Sequence, residues 1–281
     1  MGTGSDKNRC EDAETDDTKM PVPCVSQFLR TEAPSAIILA AGKGTRFGSI
    51  RPKVLYEVAG RPMLWWVIDA CRRAGVQRCI VVVGHEGRQV RQAMADMSGC
   101  VFVEQEVQCG TGHATLMSEP FFHGQDRCDV FVLGGDGPLI RQTTLNKLLS
   151  THQATSAAAT LATAVLSDPN GYGRVVRADD GGFCAIVEQK DAAPEQLEIC
   201  EVNPSYYCFS SHHLFSALKR VRNDNKQGEF YLTDVPALLK AQGKTVSVVD
   251  AVPPEDAMSI NTPEQLNHVD QILRNRMREQ N

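Results

Sequence analysis

Nothing in this sequence is apolar for long enough to cross a bilayer, and its N-terminus carries no basic stretch followed by an apolar block. A membrane span and a secretory signal are therefore not expected, and the cytoplasm is the expected location. Positive charge is in deficit. Lys and Arg number 29 against 34 Asp and Glu, a formal net charge of -5. That balance argues against a general nucleic-acid binder, which needs a basic surface to displace counterions. Any phosphate bound here is expected to belong to a small ligand. The ten cysteines include no CxxC pair and no His-spaced cluster, so neither a zinc site nor a disulfide framework is expected, and several thiols read as small core residues. Two phosphate-binding signatures are missing as well: there is no GxxxxGK[ST], and no GxGxxG running straight into a long helix.

What is present suits one large α/β domain, with 42% hydrophobic residues over 281 positions, no internal repeat and no long linker. Residues 1–33 hold seven acids against four bases with almost no apolar periodicity, and read as a disordered acidic tail. From Ser35 onward, short β-branched runs alternate with amphipathic segments. Strands are predicted over about 35–40, 78–84, 101–104, 129–133 and 157–166, with helices over about 62–74, 86–97, 111–119 and 141–153. Two alternating runs around Asp179-Asp180-Gly181-Gly182 then read as a hairpin, followed by a strand near 200–209. Helices over 211–222 and 232–242, a strand over 246–251 and a last helix over about 263–278 complete the domain, 34–281. In "NTPEQL", Thr262 is placed to cap that helix, with Pro263 at its first position. The expected fold is a Rossmann-like, mixed but mostly parallel sheet flanked by helices, with a smaller antiparallel elaboration.

The segment "LAAGKGTRFG" (39–48) follows the first strand, where open α/β sheets bind ligands. It reads either as a tight turn or as a backbone cradle for phosphate. Gly42 and Gly44 let peptide N–H groups approach anionic oxygens, and Lys43, Arg46 and Lys53 bring positive charge, with Pro52 stiffening the approach to Lys53.

The longer string "LAAGKGTRFGSIRPKVLYEVAGRPML" resembles the opening of the sugar-1-phosphate nucleotidyltransferases, above all the uridyltransferase domain of the bacterial bifunctional N-acetylglucosamine-1-phosphate uridyltransferases. The resemblance continues in order through "EQEVQCGTGHA", "GGDGPLI", "GYGRV", "VEQKDA", "EVN", "GEFYLTD" and "NTPEQL", over about 230 residues. It implies a nucleotide-diphospho-sugar transferase fold and an enzyme that joins UTP to N-acetylglucosamine 1-phosphate. The products would be pyrophosphate and UDP-N-acetylglucosamine, a cell-wall precursor. It implies that Leu39, Ala41, Gly42 and Gly44 line the nucleotide site, that Arg46 meets the departing pyrophosphate, and that Lys53 bridges the phosphates. Asp136 and Asn261 are implied as ligands of Mg²⁺, a sparse oxygen donor set of the kind that ion takes. Gln105, Gln108, Gly110 and Thr111 are implied at the base and ribose, and Gly173, Glu188 and Asn203 at the sugar.

His113 reads as a packing or capping residue, because an ionised phosphate nucleophile needs no base. Trp65 and Trp66 read as core or interface, and "GEFYLTD" as packing against the sugar pocket or a partner subunit. The chain departs from the family pattern at Gly134, where tyrosine is frequent, at Cys109, where leucine is usual, and at Pro204-Ser205, where a glycine commonly stands two residues after the asparagine. Those departures bear on the identity of the hexose. The sequence ends about fifteen residues after "NTPEQL", so the acetyl transfer of the bifunctional relatives is not expected, and the oligomeric state is left open. Three other readings stand beside this one: a uridylyl-, thymidylyl- or cytidylyltransferase for another sugar 1-phosphate, a catalytically idle nucleotide-sensing subunit, and, more remote, a molybdopterin-cofactor nucleotidyltransferase, which shares the GxGxR start but has no reason to carry "GYGR" and "VEQKDA".

Overall fold

The computed structural model describes residues 33–42, 47, 51–84, 86–124 and 128–279. The predicted N-terminal tail, and Lys43, Gly44 and Arg46 of the glycine segment, lie outside the described residues. Strand β1 (Ser35–Ala40) lies between β4 (Arg78–Val83) and β6 (Asp129–Gly134), parallel to both, and β5 (Cys100–Glu104) extends that parallel half beyond β4. On the other side β10 (Glu201–Ser210) runs antiparallel to β6 and to β7 (Ala159–Val165), and β11 (Val246–Asp250) closes the edge parallel to β7. The hairpin of β8 (Gly173–Arg177) and β9 (Phe183–Val187) joins through β8 to β10. The chain thus runs from β1 outward to β4 and β5, then returns to β6 on the opposite flank. Such a reversal of strand order leaves a crevice beyond the carboxyl ends of β1 and β6.

Alternation decides which face each side chain covers. Ile38, Val81, Val83, Phe131, Leu133, Tyr206 and Cys208 join one buried cluster with Leu64, Val67 and Ile68 of α1 (Met63–Arg73) and Leu145 and Leu148 of α4 (Gln142–Ala154). Their neighbours Ile37, Ile80, Val82, Val130, Val132, Tyr207 and Phe209 turn to the other face. There they meet Ala114 of α3 (Thr111–Leu116), Leu214 and Leu218 of α6 (Ser211–Leu218), and Val235 and Leu239 of α7 (Val235–Ala241). Among the described residues no helix is long and apolar enough to cross a membrane.

Several predicted boundaries shift. The helix predicted over 86–97 is α2 (Gly87–Ala93), and the one over 111–119 is α3 followed by a separate tight turn at Glu119–Phe122. The helix predicted over 211–222 stops at Leu218, and that over 232–242 opens as a 3-10 turn, Leu232–Asp234. The sequence reading missed a two-stranded ribbon, β2 (Glu57–Val58) with β3 (Arg61–Pro62), and a single helical turn, α5 (Pro194–Leu197). Ala59 and Gly60 turn the ribbon with φ of 48° and 80°. Only the glycine advertises that geometry, which is why "VAGRP" does not read as a hairpin.

The last helix, α8 (Pro263–Glu279), starts where its cap predicts. Gln265 N donates to Thr262 Oγ1 at 3.3 Å and Thr262 N donates to Gln265 Oε1 at 3.1 Å, a reciprocal capping box. Its Val269 and Leu273 pack with Val58, Met63, Leu139 and Ile260 in a third cluster, which Trp66 borders. Trp66 donates its indole N–H to Val58 O at 2.8 Å, and Trp65 packs on the first cluster, so both serve the core.

Candidate active site

Three stretches far apart in sequence meet in the crevice. The segment after β1 contributes Ala41, Gly42 and, later in the chain, Lys53; the stretch at the end of β6 contributes Gly134 and Asp136; the run before α8 contributes Ser259, with Asn261 joined through Lys53. Pro52 holds an extended conformation and accepts Leu55 N at 3.0 Å, which starts the 3-10 turn Lys53–Leu55 and buries Val54 and Leu55 while Lys53 points inward. The Lys53 ammonium donates to Asp136 Oδ2 at 2.5 Å and to Asn261 Oδ1 at 2.9 Å. Only 12% of the Lys53 side chain and 25% of Asp136 is exposed, so this pair is shielded well beyond an ordinary surface ion pair. The carboxamide of Asn261 is oriented from its other end by Nδ2 donating to Ser259 Oγ at 3.0 Å, and its backbone N–H donates to Gln265 Oε1 at 2.7 Å. Ile260 N donates to Asp136 O at 3.0 Å, which ties the acidic segment to the asparagine segment through the backbone.

The crevice has a volume of about 610 Å³, in the range of small-molecule sites. Leu39, Ala41, Gly42, Lys53, Gln105, Gln108, Gly110, Thr111, Asp136, Gly173, Glu188 and Asn203 all line it. Asn261 reaches it through Lys53. Gly44 and Arg46 lie outside the described residues.

At one end, Gln108 Nε2 donates to Ala41 O at 2.6 Å, pinning the start of the glycine loop. Gln105 is buried, and its amide nitrogen donates to Gly110 O at 3.1 Å and faces His113 Nδ1 at 2.9 Å. With its amide nitrogen engaged by Gly110 and His113, Gln105 has its carbonyl oxygen left to accept a hydrogen bond. His113 is thus an orienting residue, a role the sequence reading did not give it. Gly110 has φ of 105°, and a Cβ there would lie 2.6 Å from Phe230 O. Gly112 N donates to that same carbonyl at 2.7 Å and Phe230 N donates to Cys109 O at 2.8 Å, so the "CGTG" segment is zipped to "EFYL". Glycine is required at position 110 by backbone conformation and by close approach together.

At the other end, Thr233 donates to Glu188 Oε1 at 3.0 Å, leaving Oε2 toward Gly173. Burial pushes the Glu188 carboxyl above the usual range, the Thr233 bond opposes this, and the charges of Asp234, Asp191 and Glu229 add to the rise. Asn203 is buried, donates to the Tyr207 hydroxyl at 2.6 Å and accepts Ser205 N at 3.2 Å. Its amide is committed within the protein more fully than the sequence suggested. Ser205 itself holds φ of 64°, and the pairing of β10 with β7 shifts register between Val202 and Tyr206. The chain therefore keeps, with a serine, the left-handed bulge that a glycine would make without strain.

Residues missed by sequence reasoning fall into two groups. Ser259, Thr233 and Tyr207 hold the candidate site side chains of Asn261, Glu188 and Asn203, and no spacing in the sequence links them to those partners. Gly84 is missed as well: a Cβ there would sit 2.5 Å from Ala41 O and 2.7 Å from Gln108 Nε2. Its signal is its place immediately after the strand "RCIVVV", next to the ligand end of β1.

A shielded lysine joined to a carboxylate and an amide thus sits at the switch point of a Rossmann-like sheet, above a glycine-lined crevice, within a chain whose family match is to a nucleotidyltransferase domain. Residues 36–240 match the MobA-like NTP transferase domain, and the chain belongs to that family. It is 45% identical over 244 residues to the bifunctional protein GlmU of Heliobacterium modesticaldum, covering 87% of this chain and 53% of that protein. It is 43% identical over 242 residues to the protein of that name from Alkaliphilus metalliredigens, covering 86% and 52%. The chain thus spans about half the length of the curated relatives it matches. Its fold is that of the nucleotide-diphospho-sugar transferases: a crystal structure of UDP-glucose pyrophosphorylase complexed with UDP-glucose aligns with a TM-score of 0.70 at 16% identity, covering 87% of this chain and 99% of that one.

Proposed function

We propose that the protein is an N-acetylglucosamine-1-phosphate uridyltransferase, joining UTP and the sugar phosphate into UDP-N-acetylglucosamine with release of pyrophosphate. The observation that carries this reading is the convergence of Lys53, Asp136 and Asn261 at one point of a crevice lined by Gly42, Gln105 and Gln108.

In the reaction an oxygen of the sugar phosphate attacks the α-phosphorus of UTP in line. A P–O bond forms as the bond to the β-phosphate oxygen breaks, and the electron pair leaves with pyrophosphate. The nucleophile is already ionised, so the protein positions and neutralises rather than removing a proton. Gln105 has a carbonyl oxygen left to accept while its amide nitrogen is engaged, which suits the N3–H of uracil and opposes the bare N3 acceptor of cytosine. Peptide groups of Gly42 and Gly110 allow close approach of phosphate and ribose. Lys53 brings its ammonium to the phosphates, and Arg46 meets the departing pyrophosphate. Glu188 Oε2 accepts from a sugar hydroxyl, and Asn203 shapes the floor beneath it.

The donor set also fits a divalent cation, because a carboxylate oxygen and an amide oxygen converge on the one positive atom of Lys53. Asp136 and Asn261 would hold Mg²⁺, which would supply charge neutralisation on the triphosphate.

A pyrophosphate-release assay crossing four nucleoside triphosphates with glucose, galactose, glucosamine and N-acetylglucosamine 1-phosphates tests the reading. Turnover is expected with UTP and N-acetylglucosamine 1-phosphate, with loss on chelation and a fall of several orders of magnitude in Lys53→Ala or Asp136→Ala. Equal turnover with CTP, or full activity in Asp136→Ala, would overturn it.

A further inference from the structure

Asp136 and Asn261 are both held by contacts that do not involve Lys53. The Asp136 backbone accepts Ile260 N, the Asn261 carboxamide is turned by Ser259 Oγ, and the Asn261 backbone is tied to Gln265 at the start of α8. The Asn261 carbonyl oxygen is therefore held from behind by Ser259, and the backbone of Asp136, just past β6, is tied to the segment that carries Asn261 just before α8. Lys53, by contrast, reaches both residues on a four-carbon stem with three rotatable N–H donors. It is joined to the other two through the tip of its side chain alone.

From this geometry we propose that the Lys53 ammonium and a divalent cation compete for the same two oxygens, so that arrival of the cation is what releases Lys53 toward the phosphates. The inference rests on the reading of Asp136 and Asn261 as a cation site. Asn261 offers a single carbonyl oxygen, already engaged by Lys53 at 2.9 Å. A dication at oxygen-ligand distance from that atom and from Asp136 would face the ammonium inside a site that excludes most solvent. Like charges so placed repel strongly. Lys53 is the side that yields, because a dication attracts the carboxylate more strongly and the lysine has phosphate oxygens to move to. The arrangement withholds the phosphate-binding lysine until the cation is present. Cation and triphosphate therefore bind with positive coupling through one side chain.

Binding of Mn²⁺ to the full chain without nucleotide, at fixed pH and ionic strength, reads this directly by electron paramagnetic resonance of the free ion. Lys53→Met, which keeps the stem and removes the charge, is expected to tighten Mn²⁺ binding at least tenfold, and Asp136→Ala to abolish it. If Lys53→Met binds as the wild type does while Asp136→Ala loses binding, the competition is refuted and the cation site stands. If Asp136→Ala binds as the wild type does, the site reading fails and the inference with it. A second readout needs no variant: mass-spectrometric acetylation of Lys53 in the wild-type protein should rise several-fold when Mn²⁺ is saturating. Unchanged labelling would also overturn the proposal.

Discussion

Replacing Gly84 by alanine adds one methyl group to a residue outside the crevice lining, yet it should cost both stability and nucleotide affinity. The added Cβ would lie 2.5 Å from Ala41 O and 2.7 Å from Gln108 Nε2, against 3.4 Å for ordinary contact. Relief therefore requires displacements of roughly 0.9 and 0.7 Å. The carbonyl is backbone and cannot rotate aside, so Ala41 moves or β4 withdraws from β1. Overpacking of this kind costs about 1–3 kcal/mol. The Gln108 to Ala41 hydrogen bond, 2.6 Å in the structure, is stretched or broken by the same movement, for about 0.5–1.5 kcal/mol more. The sum, about 2–4 kcal/mol, corresponds to a fall in Tm of roughly 4–16 °C for a domain of this size. Because Ala41 begins the glycine loop, KM for the nucleotide should rise together with the fall in Tm. Thermal unfolding with and without UTP, alongside steady-state kinetics, measures both. Gly42→Ala is the control for stability, since a Cβ there meets nothing within 4 Å among the described residues. A Gly84→Ala protein with wild-type Tm and wild-type nucleotide KM would refute the steric reasoning.

Glu188→Gln should separate stability from activity. The folded carboxyl titrates above its unfolded value near 4.3, so its stabilising contribution is complete below that value and lost as pH rises through the folded pKa. The glutamine variant should therefore melt higher than wild type at pH 8, by a margin that closes as pH falls toward 4, while kcat/KM falls; a variant less stable at pH 8 would contradict the burial argument. His113→Leu frees the Gln105 amide, and loss of that hydrogen bond, about 1 kcal/mol, should narrow the UTP-over-CTP preference by roughly three- to tenfold. Unchanged discrimination in competition assays would deny His113 its orienting role. Asp256→Ala leaves Arg141 and Arg276 facing a carboxylate that is gone from a site 1% exposed. With Arg141 partly solvated, a loss of about 2–4 kcal/mol is expected in urea unfolding, and a change below about 0.5 kcal/mol would show the network to be ornamental.

Local chemistry carried much of this in the sequence. The β-branched run 35–40 and the capped start of α8 each follow from nearest-neighbour rules, and the structure meets them within a residue or two. Boundaries failed where a helix tightens into a turn early, as past Leu218, where Arg220 N and Val221 N donate three residues back, or where a strained residue sits in place of glycine. Ser205 and Ala59, both with positive φ, are the cases in point: their side chains give no hint of the turn the packing imposes. The candidate site divides along the same line. Gly42 and Lys53 were visible because they lie close together after one strand, and the resemblance supplied Asp136 and Asn261. What no reading of spacing could supply is the set of holding contacts: Ser259 on Asn261, His113 on Gln105, and Thr233 on Glu188 at a separation of 45 residues.

The most distant of the three converging stretches shows why. Asn261 reaches the crevice because the turn before it, Pro254–Ala257, is clamped at Asp256. That carboxylate accepts from Arg141 at the entry to α4 and from Arg276 near the end of α8, and its backbone oxygen accepts from the Tyr206 hydroxyl at 3.0 Å. Arg276 also reaches Leu139 O, and Asp270 accepts Ala59 N at 2.7 Å, which fastens the same helix to the segment after β6 and to the ribbon before α1. Helix α8 contributes no side chain to the crevice lining, yet it fixes the separation between the carboxylate on β6 and the amide before it. Precision at a site assembled from three segments depends on the rigidity of whatever holds them in common. Here that is an ion-pair network gathered on the buried Asp256 carboxylate and a small apolar cluster on the helix.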